Sequence, residues 1–177
     1  IYLGTLGSPG AYQAMREGSV DVALVSSIEY FRNPDYCILP DLSVSAHRER
    51  WSIKLGHGVP LKSARKIGLD PSSETTNALL QIILQEKLAL GIELVKMQMG
   101  EDPALRTDLD GFLKIGDPCL CYIPPPDYES MDLAAEWNAF TSLPFVFAVW
   151  LARKGIDLQN INKNLFLAKR EGLRNTE

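Results

Sequence analysis

Arg65–Leu88, RKIGLDPSSETTNALLQIILQEKL, is the stretch whose reading decides the fold. Arg65–Leu69 is short and apolar enough for a strand that ends at Asp70. Pro71 and a run of hydroxyls interrupt it. Leu79, Leu80, Ile82, Ile83 and Leu84 then build the apolar face of a helix. Ile92–Met97 returns as a strand, so the segment reads as one strand–helix–strand unit of an α/β protein.

The same alternation spreads outward. Ile1–Leu3 is short and strand-like. Ser8-Pro9 places an N-cap before a Pro at the first helical position, and Gly18 stops that helix. Val20–Val25 is a strand, and Ser26-Ser27 opens a short helix that Pro34 closes. Tyr36–Leu39 follows as a strand, and the pattern so far predicts parallel pairing. His47–Arg50 reads as a solvated turn between two strands. Asp102–Asp108 is helix or loop, and Gly111–Ile115 is a strand ending in Gly116-Asp117-Pro118. Pro124-Pro125-Pro126 is a linker, because three prolines exclude regular helix. Leu133–Phe140 and Ile156–Glu171 are helical, with buried Phe145–Leu151 between them. Trp137, Phe145, Phe147 and Trp150 are expected in the core.

Composition sets the outer limits. The 177 residues are 46% hydrophobic and 23% charged, which fits a globular chain and not a disordered or fibrous one. The net charge of −4 comes without a basic stripe, so no nucleic-acid partner is expected. The longest apolar run, Pro144–Ala152, falls far short of the roughly 20 residues that span a bilayer, so no membrane partner is expected either. Three cysteines do not make a disulfide framework, which points to a reducing compartment. Cys119 and Cys121 read as small buried residues at a strand end. A metal site would need more ligands than His47 and His57 supply, so no metal is expected.

The chemistry lies in the turns. In open α/β sheets ligands sit outside the carboxyl ends of the strands, where helix N-termini offer N–H groups to anions. Ser26-Ser27, Asp70–Thr76 and Gly116-Asp117 are turns of this kind. Ser72–Thr76 holds four hydroxyls in five residues, whereas a helix cap needs one, so ligand contact stands beside plain capping as a reading. There is no GxGxxG, no GxxxxGK[ST] and no GxSxG. His47 and His57 neighbour none of the three turns and read as surface or structural residues. Glu29 and Glu74 sit at helix starts, where the dipole favours acids. Asp117 reads first as a turn cap and second as a base. Such a site binds anions well and needs its base from elsewhere.

VDVALVSSIEYFRNPDYCILPDLSVS, KIGLDPSSETTNALL, LKIGDPCL and DLAAEWNAFTSLPFVFAVWLAR, in that order between Val20 and Arg153, resemble the chorismate dehydratase family of the futalosine route to menaquinone. That family is shared with dihydroxynaphthoate synthase and with solute-binding proteins. The resemblance implies a periplasmic-binding-protein-like type II fold in a cytoplasmic enzyme, with two α/β lobes flanking a cleft. The crossings would lie near Ser43–Trp51 and Cys121–Tyr128, giving lobe one as 1–45 with 129–177 and lobe two as 46–128. The implied reaction is dehydration of chorismate, a dicarboxylate, to 3-[(1-carboxyvinyl)oxy]benzoate, a carbon–oxygen lyase reaction without a cofactor. The alternative is a non-catalytic protein of the same fold that binds small carboxylates.

By position the resemblance implies Ser52 as the catalytic residue and Ser27, Ser73, Thr75, Thr76, Gly116 and Asp117 as substrate-binding residues. Ser27 matches the family's VSSIEY turn, and Ser52 its RSVLLF-like strand. Ser73, Thr75 and Thr76 match an SSRTS turn, with Glu74 in place of Arg, and Gly116 and Asp117 match an IGD turn. Two departures stand out: Glu74 reverses a charge at an anion-binding turn, and HRERW replaces a small Gly-containing turn before Ser52. The family's opening strand with its YLN-type loop, and its last helices, have no counterpart. A longer parent chain, and weak catalysis by the fragment, are therefore expected.

Overall fold

The computed structural model describes residues 8–175; the expected strand at Ile1–Leu3 lies outside them. In chain order the first elements are α1 (Ser8–Arg16), β1 (Val22–Ser26), α2 (Ile28–Arg32), β2 (Tyr36–Ala46) and β3 (Ile53–His57). Then come β4 (Lys66–Leu69), α3 (Glu74–Ile82), β5 (Glu93–Lys96), β6 (Gly111–Ile115) and α4 (Asp117–Leu120). The last are β7 (Glu129–Asp132), α5 (Leu133–Thr141), β8 (Phe145–Arg153) and α6 (Gln159–Arg174). They gather into two compact units, residues up to Val44 with Val146 onward, and Ser45–Phe145. Residues 129–145 cluster with the second unit because β7 pairs with β3 and α5 packs on β3 and α3.

The first unit carries a three-stranded sheet in the order β1-β8-β2. β1 runs antiparallel to β8, with Val22 opposite Ala152 and Ser26 opposite Ala148. This corrects the parallel pairing expected from the local alternation, since the partner of β1 arrives from the far end of the chain. Met15 of α1, Val25, Tyr36, Val149 and Leu151 form the core, with Tyr12 packed edge-on against Tyr36. Glu29 is buried in this unit and is held by Arg32 at 3.0 Å, as a buried charge requires. Of the aromatic residues expected in the core, only Phe147 is fully buried; Trp137, Phe145 and Trp150 are half-buried.

The second unit holds a five-stranded sheet in the order β5-β4-β6-β3-β7. β4 is parallel to both β5 and β6, whereas β3 is antiparallel to β6 and β7. Leu55 and Leu113 face the helices and are buried with Leu79, Leu80, Ile83, Leu84 and Leu133. α3 supplies Leu79 and Leu80 to that core, whereas Ile82, expected on its apolar face, is exposed. The helix continues into one wider π turn over Ile83–Lys87, and an ion pair of Lys87 with Glu136 ties that turn to α5. Ser73 caps α3 by accepting from Thr76 N–H, and Asp132 caps α5 by accepting from Ala135 N–H at 2.9 Å.

Asp110 anchors the start of β4. One of its carboxylate oxygens accepts from Arg65 N–H at 2.7 Å and Lys66 N–H at 3.0 Å, which holds the carboxyl below the ordinary aspartate value of 3.8. A lowered folded value means that the stabilisation is complete above 3.8 and is lost as the pH falls through the folded value. Asp110→Asn is therefore expected to lose about 1 kcal/mol at neutral pH. Urea midpoints followed into the acid range should show the two proteins converging. A gap that stays constant at every pH would defeat this assignment.

Candidate functional site

Topology collects most of the expected residues at one end of the second unit's sheet. β4 and β6 are parallel neighbours, so the turns that follow them, Asp70–Thr76 and Gly116-Asp117, leave the same edge. β3 runs the other way, with Ile53 opposite Ile115, so Ser52 enters at that edge too. Gly116 N–H donates to Ser52 C=O at 2.8 Å and fixes the two together. Ser27 belongs to the first unit. There its Oγ donates to Val146 C=O at 2.7 Å and its N–H to Phe147 C=O at 3.0 Å, at the carboxyl end of β1.

The hydroxyls of Ser72, Ser73 and Thr76 are committed locally. Ser72 donates from its N–H and its Oγ to one carboxylate oxygen of Asp70. Ser73 Oγ caps α3 and shares a hydrogen bond with Thr76 Oγ1 at 3.0 Å. Thr75 and Thr76 are 3% and 1% exposed, so they are core hydroxyls as the protein stands. Asn77 Nδ2 donates to Asp70 C=O, which closes the turn. The local order is that of an Asx turn followed by a capped helix.

Gly116 has φ 70° and ψ −152°, a region that only glycine occupies without strain. It reverses the chain between β6 and the four-residue α4. Asp117, the first residue of α4, is exposed. His57 is buried, and its Nδ1 donates to Val59 C=O at 2.9 Å, whereas His47 is exposed. Among the described residues no three His, Cys, Asp or Glu side chains gather as a metal site would need. Cys119 is buried, which pushes its thiol up, and its Sγ donates to Trp51 C=O at 3.3 Å.

Two features at this edge escaped the sequence reading. One is Asp132, whose Oδ1 accepts from Ala135 N–H and whose Oδ2 accepts from Arg50 N–H at 2.7 Å. Burial pushes its carboxyl up, against the pull of those N–H groups. An Asp placed just before LAAEW is an N-cap signal, and it was legible as one. The other is a groove of about 580 Å³ outside the carboxyl ends of β4, β5 and β6. Ser72, Ile115 and Pro118 line it, so the neighbours of the expected residues form its wall rather than those residues themselves. Asp70, Glu101 and Asp102 face it against Lys114, with Glu101 held by Arg106 at 2.8 Å.

A family described as menaquinone biosynthesis matches residues 12–177. The chain belongs to this family. A protein of Thermus thermophilus named chorismate dehydratase is 33% identical over 174 residues, covering 88% of this chain and 63% of its own. One of the same name from Campylobacter jejuni is 32% identical over 130 residues, covering 73% of this chain and 44% of its own. The chain thus spans less than two thirds of the length of these relatives.

Solved structures place the fold. A structural-genomics protein of Archaeoglobus fulgidus superposes with a TM-score of 0.64 at 20% identity, covering 94% of this chain and 61% of its own. An amino-acid ABC transporter substrate-binding protein of Streptococcus pneumoniae, bound to L-arginine, gives 0.54 at 13%, covering 97% and 71%. The fold of this member of the menaquinone-biosynthesis family is therefore mixed α/β and of the type II binding-protein kind. No helix among the described residues is long and apolar enough to cross a membrane.

Gly116 gives the sharpest test of this geometry. A Cβ there would meet nothing nearer than Pro118 Cδ at 3.9 Å, so the penalty of Gly116→Ala comes from the backbone alone. The substitution is expected to cost about 1–3 kcal/mol. Denaturant midpoints measure it, and an unchanged midpoint would mean that the turn does not need glycine.

Proposed function

We propose that this chain belongs to a cytoplasmic chorismate dehydratase, a carbon–oxygen lyase that converts chorismate to 3-[(1-carboxyvinyl)oxy]benzoate. The observation that carries the reading is membership of the menaquinone-biosynthesis family with two relatives of that name. The convergence of Ser52, the Ser73–Thr76 turn and Gly116-Asp117 at one sheet edge supports it.

In this reading the substrate is a dianion, and its carboxylates are held by N–H and hydroxyl donors of those turns. Ser73, Thr75 and Thr76 act with the first turn of α3, and Gly116 and Asp117 with the turn after β6. Ser27 is a further substrate-binding residue of this reading. Ser52 is the catalytic residue, a hydroxyl donor to charge that develops on the ring carboxylate. The ring C–H beside the ether loses its proton, its electron pair forms the new ring double bond, and the neighbouring C–O bond breaks. Hydroxide leaves and takes up a proton, so water and an aromatic ring are the products. The substrate's own side-chain carboxylate serves as the base.

Loss of the diene absorbance of chorismate, followed with the full-length protein, tests the reading. Turnover is expected, and Ser52→Ala should lower kcat about a hundredfold with an unchanged melting temperature. Tight chorismate binding without turnover would replace the lyase by the non-catalytic carboxylate-binding protein. Loss of turnover with intact binding in Asp117→Asn would move the base from the substrate to the protein.

A further inference from the structure

The face of the second unit's sheet away from α3 and α5 carries a second cavity, which shares Lys114 and Tyr122 with the groove at the sheet edge. The residues of β3 and β6 alternate, so Lys54 and Gly56, with Phe112 and Lys114, face away from α3 and α5. These four, together with Trp51 and Tyr122, line a cavity of about 240 Å³.

Three of its features call for a ligand. First, Lys54 and Lys114 are direct cross-strand partners, an arrangement in which like charges destabilise a sheet. Neither makes an ion pair among the described residues. Asp132 lies opposite Lys54 on β7 and accepts from the N–H groups of Arg50 and Ala135, but no ion pair joins it to Lys54 among the described residues. Second, the walls are aromatic. Phe112 and Tyr122 meet edge to face at 5.5 Å, and Lys114 Nζ sits 4.6 Å from the centre of the Tyr122 ring. Trp51 stands at the mouth, 71% exposed.

Third, Gly56 is a glycine in the middle of a strand with no positive φ to explain it. A Cβ there would make only ordinary contact with the Tyr128 ring, at 3.7 Å, so the fold would accept a side chain. A bare strand position of this kind often marks close approach of a ligand or of another backbone.

We propose that this cavity binds a small single-ring aromatic carboxylate. The carboxylate lies between the two ammonium groups and relieves their repulsion, and the ring stacks among Phe112, Tyr122 and Trp51 over the bare backbone of Gly56. Charge and shape select together: the lysines need the anion, and the volume admits one ring. The inference does not rest on the lyase reading.

Calorimetric titration of the full-length protein with benzoate, benzamide and cyclohexanecarboxylate tests it. Benzoate should bind, with the neutral amide and the saturated acid each weaker by about tenfold or more. Lys54→Met and Lys114→Met should each weaken benzoate by about tenfold without lowering the melting temperature, since each also removes a like-charge contact. Lys54→Gln and Lys114→Gln are the second choice if either methionine variant aggregates. Gly56→Val should abolish binding by filling the floor. Ser73→Ala should leave binding intact, which separates this site from the edge proposed for chorismate. Equal binding of benzamide, unchanged binding in both lysine variants, or no benzoate binding in the millimolar range would overturn the proposal.

Discussion

The antiparallel register of β3 on β6 sets Ser52 beside Gly116, Lys54 opposite Lys114 and Gly56 opposite Phe112. A slip of one residue would exchange the two faces of the sheet and send Leu55 into solvent. Gly111 guards against that slip. A Cβ at Gly111 would stand 2.6 Å from Gly56 C=O and 3.0 Å from His57 Cβ, so the strands approach as closely as they do only because it has none. Two kinds of chemistry hang on this one pairing. The sheet edge gathers hydroxyls and N–H groups, while the open face gathers cations and aromatic rings.

Hydrogen-bond demand explains why the Ser72–Thr76 turn is so rich in hydroxyls. The start of α3 leaves N–H groups that its own helix cannot satisfy. Ser73 serves Thr76 N–H, Asp70 holds Ser72, and Asn77 reaches back to Asp70 C=O. Four polar side chains thus lock one reversal, which makes it stiff. A stiff turn at a helix N-terminus suits anion recognition, because its donors are already oriented before the ligand arrives. Capping and ligand contact, two readings of the same hydroxyls in the sequence, do not exclude each other. Thr75 and Thr76 are buried in the first turn of α3, where they shape the reversal that holds these donors.

Elements with strong local signals were legible from residue order. GFLKI is β6 residue for residue, and α3 starts inside the hydroxyl-rich turn with Leu79 and Leu80 buried as the pattern of Arg65–Leu88 expects, although Ile82 is turned out. What was not legible depended on distant partners. β7, ESMD, has no run of β-branched or aromatic residues, and it is a strand only because β3 offers an edge. The direction of β1 was misjudged because its neighbour β8 lies more than a hundred positions away in the chain. At the candidate site, the turns were readable from Ser, Gly and Asp at strand ends. Asp132 was readable as a helix cap but not as a residue of this edge, and the paired lysines were not readable at all, because only register brings them to the edge and the face they occupy.

The placement of acids and bases near the sheet edge bears on where a proton could go. Asp132 already accepts an N–H at each oxygen, and Asp70 holds Ser72 twice through one oxygen. The ring of His57 is turned to the helix side and committed to Val59 C=O. Asp117 is exposed, and a solvated carboxylate is a weak base toward carbon. Side chains arranged in this way bind and orient charge better than they abstract protons. Under the lyase reading the demand for a base therefore falls on the substrate, whose second carboxylate is brought to the ring by the same donors that hold it. The protein's part is then to fix one conformer of a dianion, and the Gly116 turn joined to Ser52 is the kind of fixed element such positioning requires.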